Sequence, residues 1–153
     1  MVLKARKDRI EIVIPKRDYS SGETVKGQLV LTLNQPKRAR ALRVELRAEQ
    51  KGAIASRGIG VAVNTVYKSV FPVKGKGSFS SAKHNFELRL PKSAQEAVKK
   101  KAHGAGPVRW YVTASLDVPL AFDITDRKEI TVDQKGLFDS SFVSRLKNTF
   151  KLQ

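Results

Sequence analysis

The sequence predicts an all-β fold, a sandwich or barrel of seven or eight strands. Two observations predict it. Apolar side chains recur at every second position in several separate runs, and turn-forming residues divide these runs. The chain has 153 residues, 41% hydrophobic and 29% charged. This composition is typical of one globular domain that folds without a disulfide or a metal.

The clearest strand is predicted over residues 42–49. Leu42, Val44, Leu46 and Ala48 share one face, and charged residues alternate with them on the other. One face of this strand therefore meets the core and the other meets water. The same period predicts further strands around 10–14, 29–33, 59–63, 86–90, 108–116, 120–124 and 130–132.

Turn-forming residues lie between the predicted strands. Residues 20–22 (SSG) predict a tight turn in which Gly22 takes a positive φ. Residues 34–36 (NQP) predict another turn, and residues 74–77 (KGKG) a mobile basic loop. Short strands separated in this way favour an antiparallel arrangement.

Two segments depart from the strand pattern. One short helix is predicted within 92–102, where Ser93 caps the first turn and Glu96 stands at capping-box spacing. Residues 134–153 predict a C-terminal amphipathic helix behind a sandwich domain at 1–133, because apolar residues recur there at i, i+4. That apolar stripe consists of Phe138, Phe142, Leu146 and Phe150.

The chain is strongly basic. Lys and Arg total 30 against 14 acidic residues, which gives a formal net charge of +16. An excess of this size favours an anionic partner. The alternative is a set of solvated edge lysines that guard the sheets against aggregation. The candidate binding residues are Lys4, Arg6, Lys7, Lys16, Arg17, Lys74 and Lys76.

Residues that carry catalysis are scarce. There is no cysteine, and neither His84 nor His103 has further ligands at metal-like spacing. His84 falls in phase with Phe86 and Leu88, so it is predicted to lie at the sandwich edge or in the core. No nucleophile or nucleotide motif is present, and the acids alternate with bases as strand partners. The sequence predicts a protein that is not an enzyme, with no cofactor and no metal.

Five segments, in order, resemble one known family. Residues 16–27 (KRDYSSGETVKG) resemble the aromatic, Ser-x-Gly-Glu and Val-x-Gly motif of arrestin domains, and 37–49 (KRARALRVELRAE) are similar to the following arrestin strand. Residues 86–91 (FELRLP) resemble the Phe-x-Phe-x-Leu-Pro element, and 106–117 (GPVRWYVTASLD) the strand with an aromatic pair. Residues 123–127 (DITDR) are similar to the bacterial sporulation-control relatives of arrestin. The resemblance covers about residues 10 to 132.

This resemblance implies an immunoglobulin-like sandwich of two antiparallel sheets that works as an adaptor or scaffold. Family members bind cargo tails, receptors, lipids or trafficking partners. Eukaryotic arrestins pack two such domains together, whereas this chain has room for one, so their phosphate-sensing polar core is not carried over. The basic pair that the family uses near its first strand has no matched counterpart here. Recognition of phosphate is therefore suggested by charge alone.

Three kinds of partner are consistent with these observations. An acidic or phosphorylated protein segment is expected to bind the cations or to add a strand at an exposed sheet edge. Nucleic acid is the second, although only Tyr111 and Tyr67 face outward for base stacking. The third is an anionic membrane, contacted by the tail, which alternatively docks on its own sheet or on a second copy.

The expected location is the cytoplasm, with peripheral contact at the inner membrane surface, because no apolar run is long enough to span a bilayer. The absence of cysteine together with many Lys, Arg and Glu residues also favours a thermophilic, archaeal source.

Overall fold

The computed structural model describes residues 7–53, 61–102 and 106–133. The elements are β1 (Arg9–Val13), β2 (Asp18–Tyr19), β3 (Thr24–Thr32), β4 (Lys37–Ala39), β5 (Ala41–Ala53), β6 (Val61–Lys74), β7 (Gly77–Phe79), β8 (Ala82–Arg89), α1 (Ala94–Lys99), β9 (Val108–Asp117) and β10 (Ile124–Val132). The predicted tail, 134–153, lies outside the described residues.

The strands form two facing sheets and a short ribbon. One sheet has the order β1-β3-β8, the other the order β2-β10-β9-β5-β6, and β4 pairs with β7 in the ribbon. The pairs are antiparallel except β2, which runs parallel to β10 with Tyr19 opposite Val132. The two-sheet sandwich that the sequence predicts is confirmed.

The core lies between the sheets, on the faces that the alternation predicts. Leu42, Val44, Leu46 and Ala48 of β5 are completely buried, while Arg43 and Arg47 between them are partly exposed. From the opposite sheet, β3 and β8 contribute the inward-facing Val25, Leu29, Leu31, Phe86 and Leu88. The interleaving of these two apolar faces removes them from water and provides the main stabilisation.

The two ends of the sandwich differ in structure and are called the helix end and the loop end. The helix end carries α1, the turn at 20–22 and Asp133. Gly22 has a φ of +80°, which glycine adopts without the steric cost of a Cβ. Ser93 caps α1, since its side chain accepts a hydrogen bond from the Glu96 N–H. Both features match the predictions.

The opposite, loop end carries the β4–β7 ribbon, the residues before β1 and the β9–β10 connection. The β6–β7 connection is a two-residue turn, because β6 extends to Lys74 and β7 begins at Gly77. It is therefore shorter than the predicted basic loop at 74–77.

The strand predicted at 120–124 is wrong for most of its length. Only Ile124 lies in a strand, at the start of β10. Leu120 and Phe122 belong to the β9–β10 connection, and their side chains are fully exposed. Pro119 and the left-handed φ of 58° at Leu120 turn the chain at this point. Alternation over three apolar residues is therefore not enough to predict a strand here.

Candidate functional site

The seven cations that the sequence singles out do not form one surface. Lys7 lies before β1, whereas Lys16 and Arg17 follow the far end of that strand, at the helix end. Lys74 and Lys76 lie at the β6–β7 turn, at the loop end. Lys4 and Arg6 lie outside the described residues.

Lys16 contributes to the structure of the β1–β2 connection. Its ammonium pairs with the Glu23 carboxylate and lies 4.8 Å from the centre of the Tyr19 ring. The Tyr19 hydroxyl in turn donates a hydrogen bond of 3.0 Å to the Lys16 carbonyl. Burial, and then the negative charge of Glu23, raise the pKa of Tyr19. Much of the charge of Lys16 is therefore already balanced within the fold.

Lys74 and Lys76 are both exposed, and Lys74 also contacts the residues beneath it. Its ammonium lies 5.2 Å from the centre of the Phe79 ring. The Phe79 ring lies 6.3 Å from that of His84, which is half-buried on β8 as predicted. Burial lowers the pKa of His84, and the positive charge of Lys74 lowers it further. The imidazole next to this cluster is consequently held toward its neutral form.

The ribbon strand β4 adds basic residues to the loop end that the sequence prediction missed. Arg38, in β4 opposite Ser78, is exposed, and so is Arg40, whose N–H donates to the Asp117 carbonyl. Lys37, by contrast, pairs with Asp8 at 3.0 Å. These residues have no alternating pattern of their own. Only the pairing of β4 with β7 brings them close to Lys76.

Asp8 lies within this basic end with two stabilising contacts. Its carboxylate accepts a hydrogen bond of 2.7 Å from the Asn34 N–H, in addition to the ion pair with Lys37. The hydrogen bond from Asn34, and then that from Lys37, lower the pKa of Asp8. Asp8 therefore neutralises Lys37 and leaves Arg38, Lys74 and Lys76 as the exposed cations of the ribbon side.

The strand β6 lies at one edge of the five-stranded sheet, and β2 lies at the other. One side of β6 pairs with β5, with register shifts at Leu42/Arg43 and Ala48/Glu49. Val63 and Val70 on this strand are 53% and 47% exposed. Pro72 within it is tolerated because edge strands leave one side of the backbone unpaired. The β6 edge leads directly to Lys74 and Lys76.

Acidic side chains on the outer face of the same sheet form ion pairs with neighbouring cations. Glu45 contacts Arg47 at 2.8 Å and Lys68 at 3.7 Å. Glu49 pairs with Arg127, whose guanidinium lies 3.5 Å from the centre of the Tyr111 ring. These acids act as ion-pair partners, as the alternating pattern predicts.

Within 7–53, 61–102 and 106–133, no group of three His, Asp or Glu side chains lies close enough together to hold a metal ion. In that same part of the chain, no helix has the length and apolar character needed to cross a membrane.

A structural comparison identifies the architecture. Over 93% of this chain and 55% of the other, the fold matches that of Spo0M, a sporulation control protein from Bacillus subtilis, with a TM-score of 0.62 and 17% sequence identity. The fold is arrestin-like. This chain spans about half the length of Spo0M. No family model matches the sequence, and neither does any curated protein.

A second structure, the superoxide reductase (neelaredoxin) from Ignicoccus hospitalis, covers 82% of this chain at 14% identity, but its TM-score is 0.39. A resemblance this weak carries no conclusion. The arrestin-like sandwich thus places two features at or next to its loop end: the β6 edge with its basic turn, and the exposed connection between β9 and β10.

Proposed function

We propose that this chain is a non-enzymatic arrestin-like adaptor that binds an extended acidic protein segment along the outer edge of β6. The observation that carries this proposal is the position of β6. It is a strand of 14 residues at the edge of its sheet, and it ends in the basic turn at Lys74 and Lys76. The arrestin-like fold supports the adaptor role.

The backbone of an edge strand supplies affinity without requiring a particular sequence. Its outward N–H and C=O groups are available to a segment that adds as a new strand, and side-chain contacts then provide selectivity. The exposed Val63 and Val70 offer apolar contacts along this edge. Pairing with β5 at twelve positions holds β6 in place, so binding requires little ordering of the protein itself.

The cations at the end of β6 select for negative charge. Arg38, Lys74 and Lys76 are exposed in the described structure and lie around one turn. Cations at the rim of an interface mainly speed association and choose between partners. An acidic or phosphorylated segment fits this edge better than a neutral one.

The contacts of the outward tyrosines favour nucleic acid, the alternative partner class, less than an acidic protein segment. The Tyr67 ring packs against Trp110 with 5.4 Å between the ring centres, and the guanidinium of Arg127 covers the Tyr111 ring. These contacts occupy ring faces that base stacking would use.

The test compares two charge-reversal variants with the same net charge. The probe is a labelled peptide in which Glu alternates with Val, and its binding is followed by fluorescence anisotropy at moderate salt. We expect Lys74→Glu with Lys76→Glu to weaken binding roughly tenfold, because opposite charges at the rim become like charges. The matched control, Lys100→Glu with Lys101→Glu at the helix end, should bind as the unmodified chain does.

Two further ligands separate the alternatives. A peptide of the same length and charge in which Pro replaces each Val cannot pair with β6, so we expect it to bind weakly. Equal binding of both peptides, or equal loss in both charge variants, would show that the edge is not the site. Tighter binding of a DNA duplex than of the peptide would favour the nucleic-acid alternative, and a phosphoserine peptide tests the phosphorylated class.

A further inference from the structure

The connection between β9 and β10 carries the two most exposed large hydrophobic side chains of the described structure. Leu120 is 105% exposed and Phe122 is 97% exposed, whereas Val63, Val70 and Val13 on the strands reach 53% or less. Neither loop side chain has a function in the core. Together they form an apolar tip that projects from the loop end.

The backbone of this tip is strained. Leu120 has a φ of 58°, the left-handed region that favours glycine. Leucine gains no burial there to offset this cost. Strained backbone in folded proteins is concentrated at functional sites, and it persists where the rest of the fold enforces it. An observed outlier with a fully exposed apolar side chain therefore points to a function for Leu120.

Basic residues lie around the apolar tip. Phe122 lines a hollow of about 650 Å³ together with the cations Lys7 and Arg9 and the carboxylates Asp8 and Asp123. Leu120 and Phe122 line another of about 610 Å³ together with Arg40, Asp117 and Asp123. The cation excess around the tip therefore comes from the loop end as a whole and not from these two hollows. The loop end as a whole, taken as 7–9, 37–41, 74–77 and 117–123, contains seven cationic residues and three carboxylates.

We propose that this tip inserts Leu120 and Phe122 into the surface of an anionic lipid bilayer, with Lys7, Arg9 and Arg40 contacting the headgroups. Apolar side chains beside cations are the combination that binds such interfaces. A bilayer deforms around two projecting side chains, whereas a protein partner would need a much broader complementary patch. The inference goes beyond the adaptor function, since it places the adaptor at a membrane through a separate site.

The experiment measures binding of the full-length chain to vesicles by co-sedimentation. The vesicles are phosphatidylcholine alone or equal parts phosphatidylcholine and phosphatidylglycerol. We expect the unmodified chain to bind the anionic vesicles. Leu120→Ser and Phe122→Ser should each weaken this binding about tenfold or more. Val13→Ser, which replaces an exposed apolar side chain on β1 with a polar one, is the matched control and should leave binding unchanged.

Two other variants test the mechanism. Leu120→Gly relieves the strained backbone, so we expect a higher melting temperature together with weaker vesicle binding. In Phe122→Trp, insertion should shift the added indole emission to the blue on anionic vesicles, while the single native tryptophan, Trp110, stays buried. Arg40→Gln should reduce binding about fivefold at low salt.

Other outcomes would overturn the proposal. Full vesicle binding by the double variant Leu120→Ser/Phe122→Ser would assign membrane contact elsewhere, including the predicted tail stripe. Concentration-dependent dimers that this double variant abolishes, without lipid binding, would identify a second copy as the partner. Because peptide binding is measured without vesicles, its failure and the failure of lipid binding are distinguishable.

Discussion

At the scale of single residues, His84 reports on the charge of the basic turn. It lies on β8 opposite Leu29, and both burial and the nearby ammonium of Lys74 lower its pKa. We expect Lys74→Gln to raise the pKa of His84 part of the way toward its ordinary value, since burial remains. NMR titration of the imidazole measures this change, and Lys100→Gln is the control. An unchanged pKa would show that Lys74 does not act on His84.

The same shift makes stability depend on pH. The folded pKa of His84 lies below its unfolded value of about 6.5, so the unfolded chain binds the proton more readily. The contribution to stability is complete above that value and decreases as the pH falls toward the folded pKa. The sequence predicts His84 at the sandwich edge or in the core, from its phase with Phe86 and Leu88. It did not reveal Lys74, which a different strand brings close.

At the scale of elements, Gly27 packs closely against Phe86 and the Val13 carbonyl in the three-stranded sheet. Gly27 and Phe86 are opposite one another in β3 and β8. A Cβ on Gly27 would lie 2.6 Å from the Val13 carbonyl oxygen and 2.8 Å from the Phe86 ring. The aromatic ring thus covers the space that a side chain at position 27 would occupy.

This packing predicts a large effect from one methyl group. We expect Gly27→Ala to lower the free energy of unfolding by about 1–3 kcal/mol, because the core must shift to accept the extra atom. Gly77→Ala, where a Cβ meets nothing within 4 Å, is the control and should change stability little. Chemical denaturation measures both, and equal stability of the two variants would contradict the packing described here.

The strands that the sequence predicts correctly are those whose alternation is long. Five inward-facing residues in β9 and four in β5 specify their faces without ambiguity. The run at 120–124 has only three, and the turn at Leu120 overrides it. On β6, Val66 is buried but Val70, opposite Glu45, is exposed, because the register shift at Ala48/Glu49 places one extra residue on β6 between Thr65 and Tyr67. A bulge of this kind depends on neighbouring strands and leaves no local pattern.

At the scale of the whole molecule, the fold class follows from the sequence. The distribution of the basic residues between the two ends of the sandwich does not. Lys7 and Lys16 are close in sequence, and β1 carries them to opposite ends of the sandwich. Arg38 and Lys76 are distant in sequence and become neighbours through the β4–β7 pairing. Binding surfaces assembled from several strands require the topology, which periodicity alone does not supply.

The net charge of +16 predicts a specific response to salt. Repulsion among like charges is greatest in the compact state, and screening reduces it as the Debye length falls from about 30 Å to about 8 Å between ~0.01 and ~0.15 M salt. We therefore expect the melting temperature to rise over this range. Calorimetry at increasing salt concentration measures it. A falling melting temperature would mean that the surface ion pairs outweigh the repulsion.

The path of β10 determines how the molecule would stand on a lipid surface. The strand starts next to the apolar tip and ends at Val132, and its nine residues span about 30 Å. With the tip immersed, the strands would point away from the bilayer, and Asp133, which the Ser21 backbone N–H holds at 2.6 Å, would project outward. The β6 strand would then lie roughly perpendicular to the membrane plane. A partner in solution could reach its edge from a direction parallel to the membrane. A fluorophore placed beside Asp133 would measure this height by energy transfer to labelled lipid.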